Sequence, residues 1–224
     1  MKNLLTLLVL SFAMHASAQP DEDMLAGMTA LRSSDHDRAT SAFSRVLVSE
    51  PSNAKAWYYR AVSRAQAGDA EGAVNDLDRT LSLTPDDVHA LIRRAEASLN
   101  LGWTQLATTD LDHLLTIRNE GPVAEHALLL LGQIAVGRAD LPAAKAHYDR
   151  LIRIAPHNAY GWVDRGIVHL SMAMPKEAVS DLEHALALDP TLDQAYGQLA
   201  LAYHRLDRRQ EACHAWHQAL AAGD

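Results

Sequence analysis

The sequence predicts an all-α protein built from tandem pairs of helices. Three observations predict this class: a 34-residue period, apolar residues at helical spacing within each period, and glycine- or proline-containing segments that interrupt the apolar stretches. The 224 residues accommodate six periods after an N-terminal segment of different character. A single helical pair cannot bury both of its faces, so we expect neighbouring pairs to stack and share a core.

The first 18 residues have the composition of a secretory signal peptide. Lys2 supplies a positive charge, residues 4–14 form a mostly apolar run, and Ala16, Ser17 and Ala18 form a small-residue cleavage site. The apolar run is shorter than the roughly 20 residues that a membrane-spanning helix needs. We expect residues 1–18 to be removed and residues 19–224 to be exported to the periplasm or secreted by a bacterium. The alternative is an amphipathic first helix that stays on the protein.

Four columns of equivalent residues define the repeats. An alanine recurs at intervals of 34 residues, widened once to 37: Ala39, Ala73, Ala107, Ala144, Ala178 and Ala212. A bulky residue lies four positions after each alanine: Phe43, Leu77, Leu111, Tyr148, Leu182 and Trp216. Twelve positions before each alanine lies a small residue, and we call this set the small-residue column: Gly27, Ala61, Ala95, Gly132, Gly166 and Ala200. A proline lies twelve positions after four of the alanines: Pro51, Pro85, Pro156 and Pro190.

These residues resemble the tetratricopeptide repeat (TPR), in which an aromatic residue, Leu-Gly, Tyr, Ala, a second aromatic residue and Pro follow in order. Trp57 with Pro85 and Trp162 with Pro190 match this pattern best, whereas the first copy has Asp23 in place of the opening aromatic residue. The resemblance implies a right-handed α-α superhelix, a solenoid of antiparallel helix pairs. The mature chain would form one TPR domain, residues 19–224, whose repeats span about 20–53, 54–87, 88–121, 125–158, 159–192 and 193–224.

The columns also have a direct physical interpretation. Glycine or alanine in the first helix, and the recurring alanine in the second, let the two helices approach closely, and the bulky residue fills the space beside them. The prolines are expected to end each second helix, whereas Pro142 and Pro175 fit the first turn of one. Residues 119–122 should form a longer loop. Asp110 and Asp112 are expected on the solvated side of a second helix.

The resemblance implies that first helices line a concave face and bind partners there. The residues at the matching positions are mostly apolar, which favours a groove for an amphipathic helix or an extended apolar segment. The alternative is that several of them pack between adjacent helices. The chaperone-binding branch of the family carries polar and basic residues at some of these positions, so we expect no terminal-carboxylate clamp. The predicted groove residues are Met24, Met28, Leu31, Tyr58, Val62, Ile92, Glu96, Leu99, Leu129, Gln133, Val136, Val163, Ile167, Leu170, Leu201 and His204.

The last predicted helix offers a second candidate surface. Trp216 and Leu220 would expose apolar area if nothing covers the final repeat, and such area suits docking or homodimerisation. The alternative is that Trp216 packs onto its own first helix near Tyr203.

Composition and motifs exclude several other functions. Twenty basic residues against 28 acidic ones give a net charge of −8, which argues against a nucleic-acid partner. The single cysteine, Cys213, excludes an intramolecular disulfide, and it lies four residues from His217 with no acidic ligand evident beside the pair, so no metal site is predicted. Nucleotide-binding and hydrolase motifs are absent, and no cofactor is expected. The sequence therefore predicts a non-enzymatic module that binds a protein or peptide. The alternative is a structural subunit of a cell-envelope assembly that docks through its C-terminal repeat.

Overall fold

The computed structural model describes residues 19–222, and within that range it contains twelve α-helices and no strand. The predicted signal peptide lies outside the described residues. The helices are α1 (residues 19–32), α2 (His36–Ser49), α3 (Ala54–Gln66), α4 (Ala70–Leu83), α5 (Val88–Asn100), α6 (Thr104–Ile117), α7 (Pro122–Gly137), α8 (Leu141–Ile154), α9 (Ala159–Ser171), α10 (Pro175–Leu188), α11 (Asp193–Arg205) and α12 (Arg209–Ala222).

The helices alternate between two connection lengths. Three residues join the helices of a pair and four residues join one pair to the next, so consecutive helices run antiparallel. The chain forms two compact units of three pairs each: the first ends at Ile117 and the second begins at Arg118. The prediction of a longer loop at residues 119–122 was wrong, because this connection has four residues like the others and the three extra residues of the sequence lengthen α7, which has 16 residues where the first helices α3, α5, α9 and α11 have 13. The predicted all-α class of tandem helix pairs is confirmed.

Small residues of the first helices face the bulky residues of the second helices, sixteen positions further on. A Cβ atom built on Gly27 would lie 2.5 Å from the ring of Phe43, and one on Gly132 would lie 2.4 Å from the ring of Tyr148. Both rings are almost fully buried. Glycine at these two positions is therefore required by close approach of an aromatic ring rather than by backbone conformation.

The sixth pair departs from this arrangement. Its small residue is Ala200, and the residue opposite it is Trp216, whose side chain is 45% exposed. Alanine alone does not account for this exposure, because Ala61 and Ala95 face Leu77 and Leu111, which are fully buried.

Proline ends four of the second helices as predicted. The residue before each proline has an extended backbone, with φ between −141° and −128°, because proline disfavours helical geometry in the residue that precedes it. Pro175 begins α10 and Pro142 lies in the first turn of α8, where no intrahelical donor is lost.

Arginines of three first helices form ion pairs with buried carboxylates on the second helix of the same pair. In each pair, Nε and Nη2 of the arginine each donate a hydrogen bond to a different oxygen of the carboxylate, at 2.6–2.9 Å. The three pairs are Arg60–Asp76, Arg94–Asp110 and Arg165–Asp181. The expectation that Asp110 lies on a solvated side was wrong, since its carboxylate is 2% exposed and neutralised by Arg94.

The same arginines also reach back to the preceding pair. Arg94 contacts Asp78 on α4, and Arg165 contacts Asp149 on α8 at 2.8 Å. Arg60 donates to the hydroxyl of Ser44 on α2 at 3.0 Å. Each guanidinium therefore joins three helices, which ties one repeat to the next.

Asp164 on α9 is a partly buried acid, and no basic side chain is among the groups that shift its pKa. Burial raises the pKa of Asp164, and the hydrogen bond from the Tyr148 hydroxyl offsets only part of that rise. For Asp149 burial alone would raise the pKa, but hydrogen bonds from Lys145 and Arg165 lower it overall. The two carboxylates therefore act on stability in opposite directions.

Gly132→Ala should destabilise the protein by about 1–3 kcal/mol, because the added methyl group collides with the buried ring of Tyr148. Gly197 in α11 is the matched control, since a Cβ atom there meets nothing within 4 Å. Gly197→Ala should leave stability unchanged or raise it by up to about 1 kcal/mol through helix propensity. Urea unfolding followed by circular dichroism measures both, and equal effects of the two substitutions would contradict this packing model.

Asp164→Asn should stabilise the protein at pH 7. The folded pKa of Asp164 is raised, so wild-type stability falls as pH rises from the unfolded value of about 3.9 through the folded pKa, and asparagine removes this loss. Asp149→Asn should do the opposite: its lowered folded pKa contributes stability above the unfolded value, and that contribution is lost as pH falls through the folded pKa. Thermal melts between pH 4 and pH 7 test the pair, and shifts of the same sign for both variants at pH 7 would refute it.

Candidate partner-binding surfaces

An open cleft of about 1090 Å³ lies in the first unit, between α1, α3 and the start of α5. Its apolar wall is made by Met24 and Met28 of α1 and by Tyr58 and Tyr59 of α3, all half-buried. The two tyrosine rings pack edge to face with centroids 5.3 Å apart. Methionines adapt to different shapes and tyrosines bury a large area with few rotatable bonds, so this wall suits an apolar segment. We call it the unit-1 cleft.

The unit-1 cleft also carries charged groups. Asp21, Lys55 and His89 occupy equivalent positions on α1, α3 and α5 and line the same cleft. Asp87 lines it too, but its carboxylate caps α5 by accepting from the backbone N–H groups of His89 and Ala90. No ion pair joins Lys55 to another residue of the described range. The ammonium group of Lys55 is thus available to a partner.

A smaller cleft of about 290 Å³ adjoins α3 and α5. Val62 and Ala65 form its apolar side, and Arg93 and Glu96 lie opposite, joined by an ion pair of 3.0 Å. Burial lowers the pKa of Arg93, but attraction to Glu96 and a hydrogen bond with Tyr58 outweigh this and raise the pKa. Arg93 therefore stays charged and links the tyrosine wall to the smaller cleft.

The structure divides the predicted groove residues of the first unit into four groups. Met24, Met28 and Tyr58 line the unit-1 cleft, and Val62 and Glu96 line the smaller one. The half-buried remainder comprises Leu31, which packs against the core of the first pair, and Leu99. Ile92 is 7% exposed and belongs to the core, so its placement in the groove was wrong.

In the second unit, fewer predicted residues are accessible. Val163 and Leu170 are buried in the core of the last two pairs, at 4% and 3% exposure, so their placement in the groove was also wrong. Two further residues, Ile167 and Leu201, are half-buried against the same core. The remaining residues are half-buried Leu129 and exposed Gln133, Val136 and His204.

Three residues of the unit-1 cleft, which lie one helical turn before the predicted groove positions, were not predicted from the sequence. Asp21, Lys55 and His89 lie six positions before the small-residue column and follow its 34-residue spacing. Their register marks them as equivalent, and their polarity suits a surface. Tyr59 was also missed, because its position next to Tyr58 gives no signal of which face it joins.

The C-terminal helix exposes large apolar groups. Trp216 is 45% exposed and Leu220 is 71% exposed on α12. The indole lies 6.0 Å from the ring of His204, whereas Tyr203 is buried and donates its hydroxyl to Glu183. The surface formed by Trp216 and Leu220 is therefore accessible to a partner.

Two negative findings concern the part of the chain that the structure describes. No group of three His, Cys, Asp or Glu side chains there is placed to hold a metal ion. Nor does that part contain a helix with the length and apolar character needed to cross a bilayer.

A family model for the tetratricopeptide repeat matches residues 27–92 and 131–210, well over half of the chain. The chain belongs to the tetratricopeptide repeat family. The predicted family and its solenoid class of paired helices are thereby confirmed. TPR arrays are non-enzymatic interaction modules, and this TPR protein is one of them.

Known proteins with similar sequence or fold agree with this assignment. The small glutamine-rich tetratricopeptide repeat-containing protein 2 of Saccharomyces cerevisiae is 29% identical over 93 residues, which is 42% of this chain and only 27% of the yeast protein. PilW, described as a type IV pilus biogenesis factor, has a TM-score of 0.73 at 17% identity, over 90% of this chain and 92% of PilW. YrrB, described as a TPR protein with an unusual peptide-binding site, has a TM-score of 0.68 at 17% identity, over 82% of this chain and 93% of YrrB. At these identities the two structures share the fold alone.

Proposed function

We propose that this TPR protein holds an apolar segment of a partner protein in the unit-1 cleft. The observation that carries the proposal is the wall of Met24, Met28, Tyr58 and Tyr59 around a space of about 1090 Å³. A wall of this composition binds by burying apolar area, and it accepts an amphipathic helix or an extended segment. The peptide-binding site described for the fold neighbour YrrB is consistent with this role.

The charged residues of the cleft restrict which segments fit. Binding beside Lys55 removes water from its ammonium group, which is favourable only if the partner brings an acceptor. A carboxylate on the partner would satisfy Lys55 while apolar side chains cover Met28 and Tyr58. We therefore propose an amphipathic partner segment with an acidic residue on its polar side.

Met28→Asp and Tyr58→Asp should each weaken partner binding at least about tenfold, because a carboxylate would be buried against the apolar surface of the partner. The partner is first trapped in cells with a photo-crosslinking residue at position 58, then purified and titrated by calorimetry. Leu83→Asp is the matched control, since Leu83 is 41% exposed but lies outside the cleft. Helical content should stay at the wild-type value for all three variants, and unchanged affinity of the two cleft variants would remove the cleft from consideration.

We further propose that the protein is exported after removal of residues 1–18. The positive residue, apolar run and small-residue cleavage site of this segment support the proposal. The protein purified from the cell envelope or the medium of an expressing bacterium should begin at Gln19. Mass spectrometry of the intact protein measures this, and a chain that keeps Met1 in the cytoplasm would contradict it.

A second candidate function is docking through α12, as a structural subunit of a cell-envelope assembly. The exposure of Trp216 and Leu220 favours it, and the fold neighbour PilW is itself described as a pilus biogenesis factor. Leu220→Asp should then release the protein from its assembly, whereas Tyr58→Asp should not. Co-purification from crosslinked envelopes distinguishes the two roles, since the cleft proposal predicts the reverse pattern.

A further inference from the structure

The smaller cleft lies at positions that the last two pairs fill with apolar side chains. Five of its lining residues have equivalents in α9, α10 and α11 that pack together in one hydrophobic core. In that core Leu170, Leu182 and Ala202 are at most 3% exposed, and Ile167 and Leu201 pack against them. The equivalent residues of the smaller cleft are, in the same order, Ala65, Leu77, Ala97, Val62 and Glu96. The same set of positions is therefore closed in the second unit and open in the first.

The first difference between the two sets is the alanine at position 65. The equivalent residue of the first pair is Leu31, which packs against the core of that pair, and in the fifth pair it is Leu170. Ala65 is the only alanine at this position in the six repeats. Its methyl group is too short to cover the apolar floor of the cleft, where Leu77 and Ala97 lie. The cleft thus lacks an aliphatic side chain that the array supplies elsewhere from its own sequence.

The second difference is Glu96, which stands where the sixth pair has Leu201. Its carboxylate pairs with Arg93 at 3.0 Å, on the polar side of the cleft. The other polar side chains of the lining, Gln66 and Asn100, are uncharged amides. The lining therefore presents no uncompensated charge, and a charged group that entered the cleft would lose water without gaining an ion pair.

Size and position favour one side chain of the segment that lies in the unit-1 cleft. The smaller cleft has a volume of about 290 Å³. A cavity of about 150 Å³ already holds a benzene molecule, so a leucine side chain fits. Val62 follows Tyr58 by one turn of α3, a rise of roughly 6 Å. A helical or extended segment that covers Tyr58 therefore reaches the smaller cleft with its next side chain on the same face.

We propose that the smaller cleft is a subsite for one leucine of the partner segment, which inserts onto the floor that Ala65 leaves uncovered. This rests on the function proposed for the unit-1 cleft and adds a requirement that the tyrosine wall alone does not impose. The leucine takes the place that Leu170 takes in the second unit, so the contact repeats a packing arrangement that the protein already uses. A partner with a short or charged residue at this point loses the contact.

Two small probes test the subsite without the partner. N-acetyl-leucinamide carries the proposed side chain, and N-acetyl-alaninamide has the same backbone with a methyl group in its place. In protein labelled with ¹³C at the alanine methyl groups, the leucine probe should shift the NMR signals of Ala65 and Ala97 saturably at millimolar concentration. The alanine probe should leave both signals in place. No shift with the leucine probe, or equal shifts with both probes, would overturn the proposal.

Ala65→Leu should close the subsite from within, as Leu170 does in the second unit. The variant should abolish the shift of the Ala97 signal and weaken binding of the partner trapped at position 58 at least about tenfold in calorimetry. Its free energy of unfolding should equal or exceed the wild-type value, since the added side chain covers the apolar floor. Ala146→Leu is the matched control: Ala146 is exposed on α8, outside the cleft, and this variant should keep wild-type affinity.

A substitution in the partner completes the test. Replacing the leucine of the partner segment by alanine should weaken binding to wild type about tenfold, but it should not weaken binding to the Ala65→Leu variant, whose subsite is already filled. Equal losses for the two proteins would place that leucine elsewhere and overturn the proposal.

Failure of the subsite is distinguishable from failure of the unit-1 cleft. If Tyr58→Asp weakens binding and Ala65→Leu does not, the cleft binds the partner and the subsite is refuted. If Ala65→Leu weakens binding and Tyr58→Asp does not, the role of the tyrosine wall is refuted and the subsite stands. Self-association of the wild-type protein that Ala65→Leu abolishes would make a second copy the occupant, and it would also overturn the proposal.

Discussion

The close approach of the two helices in each pair is the constraint on which the rest of the structure depends. A first helix comes near its second helix only where a small residue faces a bulky one, and Gly27 and Gly132 leave no room for even a methyl group beside Phe43 and Tyr148. This contact sets the rotation of the first helix about its axis. That rotation decides which side chains reach the core and which, such as Tyr58, line the unit-1 cleft.

The arginines one position before the small-residue column also face the second helix of their own pair, but they form ion pairs there instead of apolar contacts. Residues 16 apart face each other across a pair, so Arg60 meets Asp76 just as Ala61 meets Leu77. A buried carboxylate is costly unless it is paired and fully hydrogen-bonded, and Asp76 is held by Arg64 at 3.0 Å as well as by Arg60. The pairs thus enforce one register between helices that apolar packing alone would specify less strictly, and their second contacts extend that register to the preceding repeat.

The sequence predicted the helix pairs closely because the recurring columns record contacts that every repeat must make. It predicted the binding surface less well, for a physical reason. Ile92 lies on a first helix at the edge between core and surface, and small differences in packing decide whether such a side chain is buried. The 34-residue pattern identifies this position on each first helix but does not indicate how exposed its side chain is. Asp110 shows the opposite case, since its burial follows from the 16-residue spacing to Arg94, a signal that is visible only once the register of the columns is applied.

Positions that differ from the recurring columns are the ones that give information about function. A repeat that matches every column makes only the contacts that extend the array. Trp216 departs because its side chain is 45% exposed at a position that is almost fully buried in the other five pairs. Glu22 departs by placing a carboxylate where every other first helix has glycine or alanine. An exposed apolar face on its own invites association with any similar molecule.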